Sequence, residues 1–151
     1  MVFEHNYINF PELTNRQVEE FGFTSPHKQI TEDFTAEVVK VHDGDTVTLR
    51  TNFRDFDFPL RFLDIDAPEM DEGGEIARDW LRTRILNKIV NILIEKNRVD
   101  KYGRLLGRVV LNGFDIGEQE LRLGLATTFK QRGENQIPDI NKILNIKQWL
   151  S

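Results

Sequence analysis

Ala36-Glu37-Val38-Val39-Lys40-Val41-His42-Asp43-Gly44-Asp45-Thr46-Val47-Thr48-Leu49 is the stretch that decides the fold. Ala36, Val38 and Val41, with Val39 interleaved, carry strand character, Asp43-Gly44 is a turn signal, and Thr46 to Leu49 resumes a β-rich run. These features predict a hairpin. Downstream, Leu60-Arg61-Phe62-Leu63-Asp64-Ile65 predicts a third strand, and Ala67-Pro68 closes it because proline cannot donate to a ladder.

Beyond Gly73-Gly74 the pattern changes period. Ile76, Ala77, Trp80, Leu81 and Ile85 follow helical spacing, and Glu75 suits the positive end of the helix dipole. Two further strands are predicted at about 88–94 and 105–111, joined by the polar loop Asp100-Lys101-Tyr102-Gly103-Arg104. Asn112-Gly113 turns the chain into a helix at about 116–123 that ends at Gly124, and a last helix at about 139–150 carries Ile140, Ile143, Leu144, Ile146 and Leu150. Three strands, a helix, two strands and then helices fit a five-stranded, partly open Greek-key barrel of the oligonucleotide/oligosaccharide-binding (OB) type, an α+β fold.

Working back from the hairpin, residues 1–33 read as an extension. Thr14 and Gln17 have capping-box spacing for a short helix at about 15–21, and Ser25-Pro26 breaks it. Phe3, Tyr7, Phe10, Phe21 and Phe23 predict that this segment packs onto something. The organisation expected is therefore an extension at 1–33 and one barrel domain at 34–151.

The chain has 151 residues and no cysteine, which excludes thiolate nucleophiles and Cys-ligated zinc or iron–sulfur sites. Its longest apolar run, Ile89-Val90 and Ile92-Leu93-Ile94 interrupted by Asn91, falls far short of a spanning helix, so no membrane partner is expected. The first residues lack the basic and apolar regions of a secretory signal, which makes the chain as given read as cytoplasmic, although a trimmed leader would leave no trace. A net charge of −5 argues against indiscriminate nucleic-acid binding, yet the charge is segregated. Residues 43–75 hold 10 acids and 3 bases, whereas residues 78–108 hold 3 acids and 9 bases. Such a division suits a site that binds a cation with one wall and phosphate with the other, and suits equally two differently charged solvated faces.

Chemistry-bearing residues concentrate at the strand ends. Asp43-Gly44-Asp45 lies in the first turn, and Asp64-Ile65-Asp66-Ala67-Pro68-Glu69 closes the third strand. Because side chains alternate along a strand, Asp64 and Asp66 share a face, and Arg61 points away from both unless a bulge intervenes. Asp66 is preferred over Asp64 as a functional acid. Asp43 reads first as turn chemistry, since Asp-Gly is a common hairpin turn.

Several blocks together are similar to the staphylococcal nuclease (thermonuclease-like) family over about residues 34–150. They are Val38 to Val47, Arg61-Phe62-Leu63-Asp64-Ile65-Asp66-Ala67-Pro68-Glu69, Gly74-Glu75-Ile76-Ala77, Asp100-Lys101-Tyr102-Gly103-Arg104, and Gly117-Glu118 through Leu123-Gly124-Leu125-Ala126. The resemblance implies a calcium-dependent phosphodiesterase acting on DNA and/or RNA, with Mg2+ or Mn2+ as alternatives to Ca2+. It implies Asp45 and Asp66 as metal carboxylates, the Ala67 carbonyl as a further ligand, and Glu69 as the carboxylate that orients or deprotonates water. Arg61 and Arg104 correspond to the guanidinium groups that hold the scissile phosphate, and Lys101 and Tyr102 to substrate contacts. The family often has Thr where Ala67 stands; a main-chain ligand tolerates the exchange. The loop between Glu69 and Gly74 is short for the family, and Thr127-Thr128-Phe129-Lys130-Gln131-Arg132 stands where nucleotide-packing tyrosines are expected, with Phe129 as the candidate replacement for one and Lys130 or Arg132 as candidate phosphate contacts.

Physical chemistry asks for the same residue types. Phosphodiester hydrolysis needs a cation to offset charge, a positioned water, and donors aimed at the transition state. Hard oxygen ligands select Ca2+ or Mg2+ over zinc, and the arginine fork gives parallel hydrogen bonds that lysine does not. Against this, Asp45 alone reads as a turn residue, Arg61 and Arg104 as exposed ion pairs, and Glu69 as a loop acid beside Asp71 and Glu72. The runner-up function is a non-catalytic nucleic-acid-binding or protein-docking module, and a third reading makes residues 1–33 a self-association arm.

Overall fold

The structure, a computed structural model, describes residues 29–100 and 103–128. The expected helices near 15–21 and 139–150, most of the extension, and Lys101, Tyr102, Phe129, Lys130 and Arg132 lie outside the described residues. The last residues of the extension are tied to the barrel: Ile30 is buried and its carbonyl accepts from Arg98 Nη1 (3.0 Å), while Asp33 Oδ1 accepts from the Ile94 backbone N–H (2.6 Å).

Strand β1 (Phe34–Val41) and strand β2 (Thr46–Arg50) form the expected antiparallel hairpin. Val38 and Val41 are both buried although an odd spacing separates them, because the register shifts between Val38 and Lys40 and resets the alternation. Strand β3 (Phe58–Phe62) pairs antiparallel with β2. It stops at Phe62, earlier than the sequence pattern predicts. Asp64 takes a left-handed backbone (φ 64°), and Ile65–Asp66 becomes a separate two-residue strand, β4. A 3-10 turn at Met70–Glu72 leads through Gly73 (φ 93°) into helix α1 (Gly74–Ile85).

Helix α1 buries Ala77, Leu81 and Ile85, three residues at i, i+4 and i+8 that form one face. Strand β5 (Ile89–Leu93) pairs with β1, and strand β6 (Leu105–Leu111) pairs antiparallel with β5 and parallel with β3, which closes a five-stranded barrel in the order β3-β2-β1-β5-β6. The expected α+β OB-type barrel is therefore the observed fold. Strand β7 (Phe114–Asp115) extends the sheet, and Asp115 caps helix α2 (Ile116–Arg122) by accepting from the Glu118 backbone N–H at 3.1 Å. Two α-helices occur among the described residues; the third one expected for the barrel domain, at 139–150, lies outside them. After Gly124 (φ 75°) the chain returns as strand β8 (Thr127–Thr128), antiparallel to β4, with Thr127 opposite Asp66.

Val38, Val47, Leu49, Leu60, Ile92 and Leu105 fill the barrel, and Leu81, Ile85 and Ile116 join them from the helices; each is fully buried. Burial of each such side chain contributes about 1.5–3 kcal/mol, which makes the barrel a rigid platform for what stands on its rim. Gly44 shows how tightly the rim is built. It does not adopt a positive φ, so its value is space and not left-handed geometry. A Cβ there would stand 2.6 Å from Ala67 Cβ and 2.8 Å from Ala77 Cβ. Gly44→Ala is therefore expected to cost about 1–3 kcal/mol by forced backbone displacement, read by urea unfolding. A neutral result would show that the turn does not dock against Ala67 and Ala77 as described.

Candidate active site

Four segments meet at one end of the barrel: the β1–β2 turn, the end of β3, β4 with its following loop, and α2 from beneath. The turn is organised by its own acids. Asp43 Oδ1 accepts from the Asp45 backbone N–H (3.0 Å), and the Asp45 carbonyl accepts from the Phe62 backbone N–H (2.8 Å), stitching the turn to β3. Asp43 thus performs the turn role expected of it. Asp45 does more: its Oδ1 accepts from Thr46 Oγ1 (2.9 Å) and its Oδ2 from the Ala67 backbone N–H (2.8 Å).

Strict alternation would send Arg61 away from Asp66 unless a bulge intervened; what breaks the phase is instead the end of β3 and the left-handed turn at Asp64. Arg61 Nη1 donates to the carbonyls of Phe62 (2.9 Å) and Ile65 (2.7 Å), which bracket that turn. Its Nη2 donates to Asp66 Oδ1 (2.6 Å) and lies 3.4 Å from Asp45 Oδ2. One guanidinium therefore holds the turn closed and joins the two carboxylates, with all three side chains largely buried. Asp64 is elsewhere: exposed, and paired with Arg108 Nη2 at 3.2 Å. Asp66, the acid preferred from the sequence, thus stands beside Asp45 and Arg61, and Asp64 does not.

Glu69 is exposed three residues after Asp66 and precedes the 3-10 turn. Its carbonyl accepts from the backbone N–H groups of Glu72 and Gly74, both at 2.9 Å. A Cβ at Gly74 would stand 2.4 Å from the Pro68 carbonyl oxygen, so glycine is what lets the helix start press against the Glu69 loop. Arg104 donates Nε to Asp100 Oδ2 (2.7 Å) and its backbone N–H to Asp100 Oδ1 (2.9 Å). Parallel pairing sets Arg61 opposite Leu106, so Arg104, two residues before Leu106, is placed by register on the same face as Arg61. The structure thus brings Asp45, Arg61, Asp66 and Ala67 into one contact group and places Glu69 and Arg104 on adjoining segments.

Sequence reasoning gave Glu120 no chemical role. It sits on α2 at the core-facing positions shared by Ile116 and Gly117, and is fully buried. Neither carboxyl oxygen has a hydrogen-bond partner. Its Oε2 lies 3.2 Å from where a Cβ on Gly44 would be, directly under the Asp43–Asp45 turn. The signal was present as an acid four residues after Ile116 on an apolar helix stripe, the kind of buried polar group that calls for an explanation.

Electrostatics here are dominated by burial. Desolvation pushes the Asp45 carboxyl up to about 6; Arg61 opposes the rise, Asp43 adds to it, and the Ala67 N–H opposes it. Desolvation, followed by the charges of Asp45 and Asp43, pushes Glu120 well above the usual carboxylate range. Among the described residues no three His, Asp or Glu side chains form a ready metal cage. Yet the chemistry fits a hard cation: Asp45 and Asp66 offer oxygen donors, and under the turn that carries Asp45 lie the buried carboxyl oxygens of Glu120, without hydrogen bonds.

A closed five-stranded barrel that gathers acids and arginines at its strand ends falls in the class of OB-type barrels. The family is more particular. Residues 59–148 match the model described as staphylococcal nuclease homologue, well over half of the chain, and the chain belongs to that family. It is similar to a micrococcal nuclease of Shigella flexneri, 38% identical over 78 residues, covering 51% of this chain and 42% of that protein. It is also similar to a probable endonuclease of Colletotrichum graminicola, 34% identical over 96 residues (56% of this chain, 34% of the other), and to a thermonuclease of Staphylococcus hyicus, 29% identical over 99 residues (61% and 57%). The chain thus spans between about a third and somewhat over half of the length of these relatives.

The pH dependence of stability tests the burial of Asp45. A carboxyl raised from 3.8 to about 6 stabilises the fold while protonated and loses that contribution as pH climbs through the folded value. In cation-free buffer, stability is expected to fall between about pH 4 and pH 7, with up to about 3 kcal/mol of the fall due to Asp45. Asp45→Asn should flatten the curve measured by denaturant midpoints, leaving the part owed to Glu120. Parallel curves for the two proteins would contradict the burial.

Proposed function

We propose that the chain is a divalent-cation-dependent phosphodiesterase that hydrolyses DNA and/or RNA by attack of an activated water, with Ca2+ as the cation and Mg2+ or Mn2+ as alternatives. The observation that carries the reading is the single guanidinium of Arg61 set between Asp45 and Asp66, in a chain of the staphylococcal nuclease homologue family. Its relatives, a micrococcal nuclease, a thermonuclease and a probable endonuclease, support the same reaction class.

Asp45, Asp66 and the Ala67 carbonyl are the residues assigned to hold the cation, which when bound supplies positive charge to offset the phosphodiester and to favour hydroxide over water. The rest is the work of the chain. Asp45 is held in place by Thr46 and by the Ala67 N–H, so its carboxylate needs no rearrangement to act as a ligand. Glu69, exposed on a loop whose carbonyl is fixed by Glu72 and Gly74, accepts the proton of the attacking water. Arg61 and Arg104 donate to the phosphate oxygens as negative charge grows on them, each releasing a carboxylate partner, Asp66 or Asp100, to do so. Lys101 and Tyr102 are proposed as contacts to phosphate and to base or sugar.

Lysine at position 61 cannot serve Phe62, Ile65 and Asp66 with the geometry of one planar fork. Arg61→Lys is accordingly expected to lower kcat by about 10²–10³-fold. The full test incubates the protein with single-stranded DNA, duplex DNA and RNA under Ca2+, Mg2+ or chelator. Cleavage that requires the cation and falls about 10²–10⁴-fold in Glu69→Gln is the expected result. Uncut substrate in every condition, with salt-sensitive binding, would instead favour a non-catalytic nucleic-acid-binding module.

A further inference from the structure

Glu120 is the one fully buried acid among the described residues, and neither of its carboxyl oxygens meets a donor. Its surroundings offer no reason of packing for an acid. Ile116 and Gly117 share its side of α2, and Ala67 and Ala77 close around the same point under Gly44. A leucine would fill such a position without the desolvation cost, which for an unpaired buried carboxylate is severe. The backbone at this residue is fixed as well, since the Glu120 carbonyl accepts from the Leu125 N–H (2.8 Å) in the turn that delivers β8 to Asp66. The side chain is thus held with its Oε2 against the middle residue of Asp43-Gly44-Asp45.

We infer that Glu120 is a positioning residue of the cation site: from beneath the Asp43–Asp45 turn its carboxylate supplies buried negative charge behind Asp45 that strengthens divalent-cation binding without being a ligand. The inference rests on the assignment of Asp45 and Asp66 as the cation-binding pair. Charges in a site of low dielectric act over several ångströms, so a carboxylate one residue layer below a ligand still contributes to the attraction. Arg61 is the cation facing this cluster, and it is already engaged by Asp66, Asp45 and two carbonyls. That leaves Glu120 with no contact partner of opposite charge, a deficit that a doubly charged cation seated at Asp45 and Asp66 makes good.

Isothermal titration calorimetry of the full chain with CaCl2, without nucleic acid, tests this, accompanied by thermal unfolding in chelator. Glu120→Gln keeps shape and removes charge; Glu120→Leu removes the polar group altogether. Both variants are expected to unfold in chelator at or above the wild-type temperature and to bind Ca2+ about tenfold more weakly or worse. Wild-type affinity in both variants would overturn the role of Glu120 while leaving the cation site at Asp45 and Asp66 standing. Weakened binding in the Gln variant alone would also overturn it, because the effect would then follow the buried amide and not the lost charge. Absence of Ca2+ binding in the wild-type protein would overturn the cation site itself, and with it this inference.

Discussion

A single guanidinium organises this end of the molecule. Arg61, the penultimate residue of β3, closes the left-handed corner at Asp64 through two carbonyls and reaches both Asp66 and Asp45. Without that corner, strand alternation would carry Arg61 and Asp66 to opposite faces. Without the guanidinium, the corner would have unsatisfied carbonyls and two carboxylates would face each other in a largely desolvated place. The local fold and the site are in this sense one interaction, and the barrel beneath supplies the rigidity that keeps it in register.

The site is also deliberately short of positive charge. Asp43, Asp45, Asp66 and Glu120 lie around one arginine, and burial raises both Asp45 and Glu120 above the usual carboxylate range. Carboxylates held in a poorly solvated setting bind a hard divalent ion more strongly than the same groups in water, and a phosphate is drawn to arginines that can exchange their acidic partners for it. The charge segregation of the sequence runs through this end of the barrel: the acidic stretch carries the turn, the β4 loop and Arg61, and the basic stretch carries Arg104, just before β6.

Much of this was legible in the sequence, for identifiable reasons. The hairpin, the amphipathic helix and the two later strands follow from periodicity, and Asp45, Asp66 and Arg61 from acids and an arginine at strand ends, reinforced by the family resemblance. Periodicity could not show where phase breaks. The bulge between Val38 and Lys40 and the left-handed Asp64 are invisible to a pattern count, and the predicted strand at 60–65 divides there into β3 and β4. Asp43-Gly44 reads as a turn signal, but the room that Gly44 provides against Ala67 and Ala77 is a fact of tertiary contact. Glu120 was passed over because its significance depends on what lies beneath a turn 76 residues earlier in the chain.

The central claim is that Asp45 and Asp66 form a cation site that Arg61 guards in the free protein. Anomalous diffraction at long wavelength from crystals grown in CaCl2 tests it directly. The account predicts a calcium peak about 2.3–2.6 Å from a carboxylate oxygen of each aspartate and from the Ala67 carbonyl. A map of fully occupied calcium elsewhere, with the Arg61–Asp66 pair unchanged, would contradict it.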